Sequence, residues 1–448
     1  VSATAPPARL LSVEEAREAV LRAIGAPLPG EPVPTPGSLG RVLAGPVVAL
    51  TSLPPWANSA MDGYAIVAAD TAAVTDDAPA TLRVIGEIRA GTAPGIAVRA
   101  GTAVRIATGA PMPPGADAVV PVEETTPLDA AGRAGARGRD AAGPLPSACL
   151  VHVVVVPGGA VRDAGSDLVA GTELLGSGTA MSAAAIALAA GAGVDTVVVH
   201  RRPRIGVLAT GDEVRAPGQP LGPAGIPDAN GPGLRALVAA AGGEALDLGI
   251  ATDSLDDVLA RLRRGLDAGV DALLVSGGVS VGPYDVVRAA IEAIGRMDLW
   301  RVAVQPGKPF AFGTANVGDG RPPVLVFGLP GNPVSSFITF ELFVRPAIRR
   351  LAGRPDGDLV RHADRGVLEE PVHTSHARRA YLRVVAVRDP AGDPVRDERG
   401  RVHVRLAGGQ GSHVISALAA ADALAIVPES VDESPPGADV ALWWLDPA

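Results

Sequence analysis

Residues 324–343 read VLVFGLPGNPVSSFITFELF. The apolar run VLVFGL reads as a strand buried on both faces, Pro330-Gly331-Asn332-Pro333 as a turn, and the remainder as the start of a closing helix. From residue 204 onward the same alternation recurs. RIGVLAT is a strand, and GLRALVAAAGG is a helix after the loop DANG. EALDLGIAT is a strand, and SLDDVLARLRRGLDAG is a helix with Ser254 as its cap and Asp256-Asp257 in its first turn. VDALLVSGGVS is a strand ending in glycines, DVVRAAIEAIG a helix and WRVAVQPG another strand. Apolar strands alternating with helices predict a mainly parallel, doubly wound α/β sheet.

That fold class predicts where a ligand sits: beyond the carboxyl ends of the strands, at a switch in strand order. The polar segments after successive strands are Thr210-Gly211-Asp212-Glu213, Thr252-Asp253, Ser276-Gly277-Gly278-Val279-Ser280, Pro306-Gly307-Lys308 and Pro330-Gly331-Asn332-Pro333. All are expected on one edge of the sheet. Glycines let backbone N–H groups approach a phosphate, and PGNPVSSF places such a loop at a helix N-terminus. Glu213, Asp228, Asp253 and Asp285 supply carboxylates suited to Mg²⁺ or to a polar ring. Asn230 lies in the DANG loop of the same edge.

Lys308 is the only lysine among 39 basic residues, and all six phenylalanines lie between Phe310 and Phe343. A bias that removes nearly every lysine makes the surviving one a functional candidate. The phenylalanines, with Phe327, Phe337 and Phe340 at strand and helical spacing, read as core. The net charge of −9 argues against a protein that coats nucleic acid and against a polybasic membrane anchor. One cysteine, Cys149, cannot form an intrachain disulfide, so a reducing cytoplasm is expected. No signal peptide or membrane span is apparent. GxSxG, a P-loop, a dinucleotide fingerprint and Cys/His metal spacing are all absent.

Elsewhere the patterns differ. Ser12 and Glu15 predict a capping box for a helix over 12–24. Residues 53–64, LPPWANSAMDGY, allow two readings: an ordinary loop feeding a strand, or a polar loop that presents Ser59 and Asp62 at a cleft. Residues 81–125 read as short strands with turns, with Thr108-Gly109 closing one of them. Residues 129–149 are low in complexity and read as a surface loop. Arg162 and Asp167 flank Gly165, either as a surface turn or as a positioned carboxylate. From about 354 the strands RGVLEE, RAYLRVVAV, RVHVRL, ALAIVPE and DVALWWL predict a small β-barrel or sandwich, whose polar motif GGQGSHVISAL carries Gln410, Ser412 and His413. A lone histidine near a serine reads as structural.

With NSAMDGYA, RIATGAPMPPGADAVV, VRDAGSD, LATGDEV, DANG, SGGVSVGPYD, QPGKPFAFG, GLPGNPVS and QGSHVIS in order, the chain resembles the MoeA-type molybdopterin molybdenumtransferases. The resemblance covers nearly the whole chain. It implies a discontinuous N-terminal linker domain (1–52 and 156–202), a β-rich inserted domain (53–155), an α/β molybdopterin-binding domain (203–353) and a C-terminal β-barrel (354–448). It implies an enzyme that takes molybdate and adenylyl-molybdopterin, cleaves off AMP with Mg²⁺ and releases molybdenum cofactor. It also implies a cytoplasmic homodimer whose cleft is shared between subunits, with a molybdopterin adenylyltransferase as pathway neighbour. By motif, functional positions fall on Asp62, Thr108, Asp167, Glu213, Asp253, Asp285, Lys308, Pro330, Pro333, Arg383 and Ser412. Glu213, Asp253 and Asp285 are the expected metal or pterin contacts. Arg301 and Gln305 stand where relatives often have lysine, so Gln305 implies one lost anion contact. A gephyrin-like scaffold without activity, and the adenylyltransferase activity itself, are the alternatives.

Overall fold

The computed structural model describes residues 10–75, 77–138, 143–278, 286–318 and 322–445. At its centre is a six-stranded sheet of β1 (Arg204–Thr210), β2 (Glu244–Ala251), β3 (Ala272–Ser276), β4 (Gly295–Arg301), β5 (Pro309–Ala315) and β6 (Val324–Leu329), in the order β2-β1-β3-β6-β5-β4. The pairs β2–β1, β1–β3 and β3–β6 are parallel; β6–β5 and β5–β4 are antiparallel. Only β5 therefore runs against the others, as a mainly parallel sheet requires. Chain direction across the sheet reverses between β1 and β3, which makes their carboxyl ends the switch point.

Helices cover both faces. α1 (Asn230–Ala240) packs through Leu234 and Val238 on one face, beside α4 (Pro333–Thr339) and the helical continuation to Leu351. α2 (Leu255–Asp267) and α3 (Val286–Ile294) bury Val258, Leu262, Val287 and Ile291 on the other. Phe310, Phe327, Phe340 and Phe343 are fully buried in the first of these cores, Phe312 nearly so, and Phe337 packs at its margin. The rings of Phe310 and Phe343 lie 4.4 Å apart, and those of Phe312 and Phe327 5.2 Å. Each buried phenylalanine contributes about 1.5–3 kcal/mol, so the cluster anchors β5, β6 and the closing helix to one another. Within that helix Phe340–Val344 is π-helical before an α-helical turn that contains Pro346. Proline brings no N–H to the ladder, so the bonding pattern shifts there.

Three details differ from the sequence reading. Residues 302–305, expected to continue β4, leave the sheet: Val302 bridges Leu11, and Val304–Gln305 pair with Arg379–Ala380 of the C-terminal domain. The helix Val13–Arg22, grouped by chain order with the linker domain, buries Val13, Ala16 and Val20 in the α/β core, because its apolar face meets the closing helix. Its Ser12–Glu15 capping box is formed as predicted. Ser254 occupies the cap position of α2 but makes no side-chain cap bond; Asp257 instead accepts from the Thr252 N–H at 2.9 Å.

The C-terminal strands Ala363–Leu368, Arg379–Ala386, Val402–Leu406, Ala423–Val427 and Asp439–Trp444 close into a five-stranded barrel. The inserted region holds a six-stranded sheet built from Gly63–Ile66, Ala80–Ile88, Thr102–Ile106, Ala118–Pro121, Thr125–Leu128 and Ala148–Val151. The linker region joins distant segments: Gly30–Pro34 pairs with Thr196–His200, and Val47–Val48 with Glu173–Leu175. Among the described residues no helix is long and apolar enough to cross a membrane.

Candidate functional site

A cleft of about 850 Å³ opens at the switch point, lined by the loops that follow β1, β2, β3 and β6. Its walls include Glu213, Asp228, Asn230, Asp253, Ser276, Gly277, Gly278, Gly331, Asn332 and Pro333, ten of the residues expected at this edge. Ser280 and Asp285 lie outside the described residues.

Side chains with short reach lace these loops together. The Asn230 amide donates to Ser276 Oγ and to the Gly331 carbonyl, each at 2.7 Å, so one side chain ties the loops after β1, β3 and β6. Thr210 Oγ1 donates to the Ser276 carbonyl at 3.3 Å, and Ser336 Oγ donates to the Pro330 carbonyl. The Asp212 carboxylate accepts from Asp253 N–H at 3.1 Å, and the Asp253 carboxylate from Asp212 N–H at 3.4 Å, which holds the β1 and β2 loops in register. Asp228 accepts from Gly231 N–H at 2.8 Å, at the first turn of α1. Gly277, at φ +99°, has no room for a side chain: a Cβ there would sit 2.9 Å from the Thr210 carbonyl oxygen. A backbone laid this close to its neighbour, at a positive φ, requires glycine.

The helix N-terminus after the PGNP turn is less open than its sequence implies. Pro333 has no N–H, and the N–H of Val334 donates to the Ser412 carbonyl at 3.1 Å. Ser412 thus docks the barrel's QGS loop onto α4, and His413 and Ile415 of that loop line the cleft. His413, read from sequence as structural, stands at the cleft wall. The signal was its place directly after Ser412, but nothing in the sequence brings a barrel loop to this edge.

Arg383 lies beneath that loop rather than in the cleft. It is 1% exposed, and its Nη2 donates to the Gly409 and Gly411 carbonyls, both at 3.1 Å. Gln410 bonds back to the Arg383 N–H and carbonyl. Burial pushes the Arg383 guanidinium below its ordinary range. Arg383 therefore shapes the loop that carries Ser412 and His413.

Lys308 is exposed at the start of β5, at the same sheet edge and one strand, about 4.8 Å, beyond β6. Its PGKP loop packs on α4, since a Cβ on Gly307 would meet Thr339 Cγ2 at 2.8 Å. Arg301 ends β4, paired with Pro309. Gln305 is committed elsewhere: its Oε1 accepts from the Ser375 N–H at 2.8 Å, a bond between the α/β and barrel domains.

A second group forms on the inserted and linker regions. Asp62 Oδ1 accepts from the Thr108 N–H at 2.7 Å and from its hydroxyl at 2.9 Å. The segment carrying Asp167 runs antiparallel to residues 53–59, with Asp167 N–H donating to the Leu53 carbonyl at 2.9 Å. Ser59 does not face a cleft as one sequence reading had it. It is fully buried, and its hydroxyl closes the turn onto the Met61 carbonyl at 2.5 Å. No residue of this second group lines the cleft.

Among the described residues no group of three His, Cys, Asp or Glu side chains is clustered to hold a metal unaided. Glu213 and Asp253 both face the cleft. Mg²⁺ commonly takes one or two carboxylates and completes its shell with phosphate oxygens and water, so this donor set fits an ion shared with a phosphorylated ligand.

Comparison with known proteins bears on the same regions. Family models match residues 11–193 (MoeA N-terminal region, domain I and II), 206–350 (probable molybdopterin binding domain) and 365–445 (MoeA C-terminal region, domain IV). A molybdopterin molybdenumtransferase 2 of Mycobacterium tuberculosis (strain CDC 1551 / Oshkosh) is 35% identical over 420 residues, covering 92% of this chain and 94% of that protein. The molybdopterin molybdenumtransferase of Nostoc sp. is 37% identical over 320 residues, 71% of this chain and 68% of that one. The crystal structure of the molybdopterin biosynthesis MoeA protein of Pyrococcus horikosii superposes with a TM-score of 0.75 at 28% identity, covering 97% of this chain and 99% of that one. Sequence and fold thus converge along the whole length, and the chain belongs to the molybdopterin molybdenumtransferase (MoeA) family.

Proposed function

We propose that this protein transfers molybdenum from molybdate into adenylyl-molybdopterin, releasing AMP and molybdenum cofactor. The observation that carries the reading is the cleft at the β1/β3 switch point, where glycine loops, two facing carboxylates and the PGNP turn converge. The chemistry is cleavage of a phosphoric anhydride. The P–O bond joining the two phosphoryl groups breaks, an oxygen from water or molybdate takes its place on phosphorus, and charge accumulates on the departing phosphate. Such a reaction needs positioning and charge neutralisation more than a protein nucleophile.

The residues divide that work. Gly277, Gly278 and Gly331 let the backbone approach the phosphates, and Asn230 holds their loops at fixed separation. Glu213 and Asp253, with Asp285 as the third member of the motif set, would hold Mg²⁺, which when bound neutralises phosphate charge. Lys308, exposed at the start of the strand beside β6 and outside the cleft lining itself, would bring its ammonium to phosphate or molybdate from there, and Arg301 would add charge at the end of β4. Ser412 and His413 close the cleft from the barrel side.

Asp62 and Thr108 are bonded to each other, Asp167 lies on the segment paired with residues 53–59, and all three are assigned to the cleft of a second subunit in a homodimer. Trp56, 51% exposed, and Met61, 42% exposed, lie on the segment that carries Asp62 and offer apolar surface for such a contact. A cytoplasmic location goes with a single buried cysteine. The test of the cleft is Asp253→Asn and Lys308→Ala in an assay of cofactor formation. Each is expected to lower activity by more than about tenfold, roughly 1.4 kcal/mol of transition-state stabilisation. Activity within about twofold of wild type in both variants contradicts the assignment.

A further inference from the structure

A separate cavity of about 220 Å³ lies at the other end of α1, between the linker and α/β regions. The helix has eleven residues, so this cavity is about 16 Å from the Asn230 end. Arg41, His200 and Arg202 reach it from the linker side; Arg349 and Arg354 reach it from the end of the closing helix. Two of the four arginines have carboxylate partners: Arg41 with Glu31 at 2.5 Å, and Arg354 with Asp358 at 3.9 Å. Among the described residues Arg202 and Arg349 have none. Arg349 Nε donates to the Asp358 carbonyl at 2.5 Å, leaving its two Nη groups without a hydrogen-bond partner among those residues. Burial, and then the neighbouring Arg345 and Arg354, push its pKa down to about 10, so the cluster holds charge it does not neutralise. His200 donates from Nδ1 to the Leu28 carbonyl at 2.6 Å and lays its ring against Gly353, where a Cβ would clash at 2.1 Å.

Four guanidinium charges against two carboxylates leave a net of about +2. Two helix C-termini border the cavity, at Ala241 and Ala352, and each contributes about −0.5 of an elementary charge, which brings the balance to about +1. Helix-end compensation alone therefore does not account for the arginines. We propose that this junction binds a tetrahedral oxyanion, of the phosphate, sulfate and molybdate class, held between Arg41 and Arg202 on the linker side and Arg349 and Arg354 on the α/β side. Guanidinium groups converging from two regions suit such an ion, and its presence would fasten the two regions together.

The experiment titrates phosphate, sulfate and molybdate separately at constant ionic strength into wild type, Arg202→Glu, Arg202→Gln and Lys308→Ala, reading heat of binding and Tm. Arg202 is exposed and without a side-chain partner among the described residues, so both of its variants are expected to fold. The proposal requires a saturable response in wild type that survives Lys308→Ala. It also requires that Arg202→Glu weaken the response about tenfold or more, about 1.4 kcal/mol, with Arg202→Gln in between. Whichever of the three anions saturates at the lowest concentration identifies the occupant. No saturable response to any of them, equal affinity in wild type and Arg202→Glu, or loss confined to Lys308→Ala overturns it.

Discussion

Replacing Asn230 by alanine removes a side chain that bonds across three loops of the cleft. Its amide makes two hydrogen bonds of 2.7 Å, to Ser276 Oγ and to the Gly331 carbonyl. At about 1 kcal/mol net each, the direct loss is about 2 kcal/mol, rising toward 3 where the Gly331 carbonyl is left without a partner. Among the described residues the Ser276 hydroxyl then keeps a long contact, 3.4 Å to Ser336 Oγ. Asn230→Asp is predicted to be worse, because a carboxylate would face the Gly331 carbonyl oxygen. Urea unfolding measures the stability term without any ligand. The functional term is larger in proportion: loosening two phosphate-facing loops by about an ångström costs up to about a hundredfold in rate, so kcat/KM for cofactor formation is expected to fall ten- to a hundredfold. A double-mutant cycle with Ser276→Ala isolates the shared bond. The two losses should fall short of additivity by about 1 kcal/mol. Additive losses, or an Asn230→Ala variant with wild-type unfolding free energy and kcat/KM, would refute the claim that this residue assembles the site.

Phe327→Ala is expected to destabilise by about 3–5 kcal/mol, read as a lower urea midpoint, because it empties the centre of the aromatic cluster. Gln305→Ala should weaken the tie between the α/β and barrel domains by about 1 kcal/mol, whereas Gln305→Lys, despite restoring a cation, should not raise activity, since the position serves Ser375. In Glu429 the Arg379 guanidinium holds the carboxyl below its ordinary value of 4.5. A depressed carboxyl contributes stability above the unfolded-state pKa and loses it as pH falls through the folded value. Wild type should therefore exceed Glu429→Gln in stability at pH 7, and the gap should close on acidification below about 4.5. Mixing Asp62→Ala with Asp253→Ala subunits should restore about a quarter of wild-type activity. Half of random dimers are mixed, and one of their two shared clefts is intact. A mixture no more active than its components contradicts a cleft shared between subunits.

The α/β domain was legible because its period is local. Apolar strands such as VLVFGL and the glycine or proline after each strand end follow from short-range chemistry, and strand direction then sends those ends to one edge. The five barrel strands were legible for the same reason. What the sequence could not convey were contacts between residues far apart in the chain. From sequence Gln305 reads as a lost cation, whereas its amide oxygen accepts from the Ser375 N–H. His413 reads as structural, whereas the bond from Val334 to Ser412, 78 positions apart in number, brings it to the cleft wall. Ser59 read equally as a site residue or a turn residue, and only its burial decides for the turn. The motif resemblance points to Arg383 as a site residue, but its place under the GGQG loop gives it a different task from touching substrate.

The most direct measurement is release of AMP from adenylyl-molybdopterin by the purified protein, with and without molybdate, in parallel with ATP and molybdopterin as alternative substrates. The expected result is AMP release coupled one for one to cofactor formation, dependent on molybdate and abolished by chelating Mg²⁺, with no adenylylation of molybdopterin from ATP. Intact adenylyl-molybdopterin after incubation with molybdate and Mg²⁺, or ATP-dependent adenylylation in its place, would contradict it.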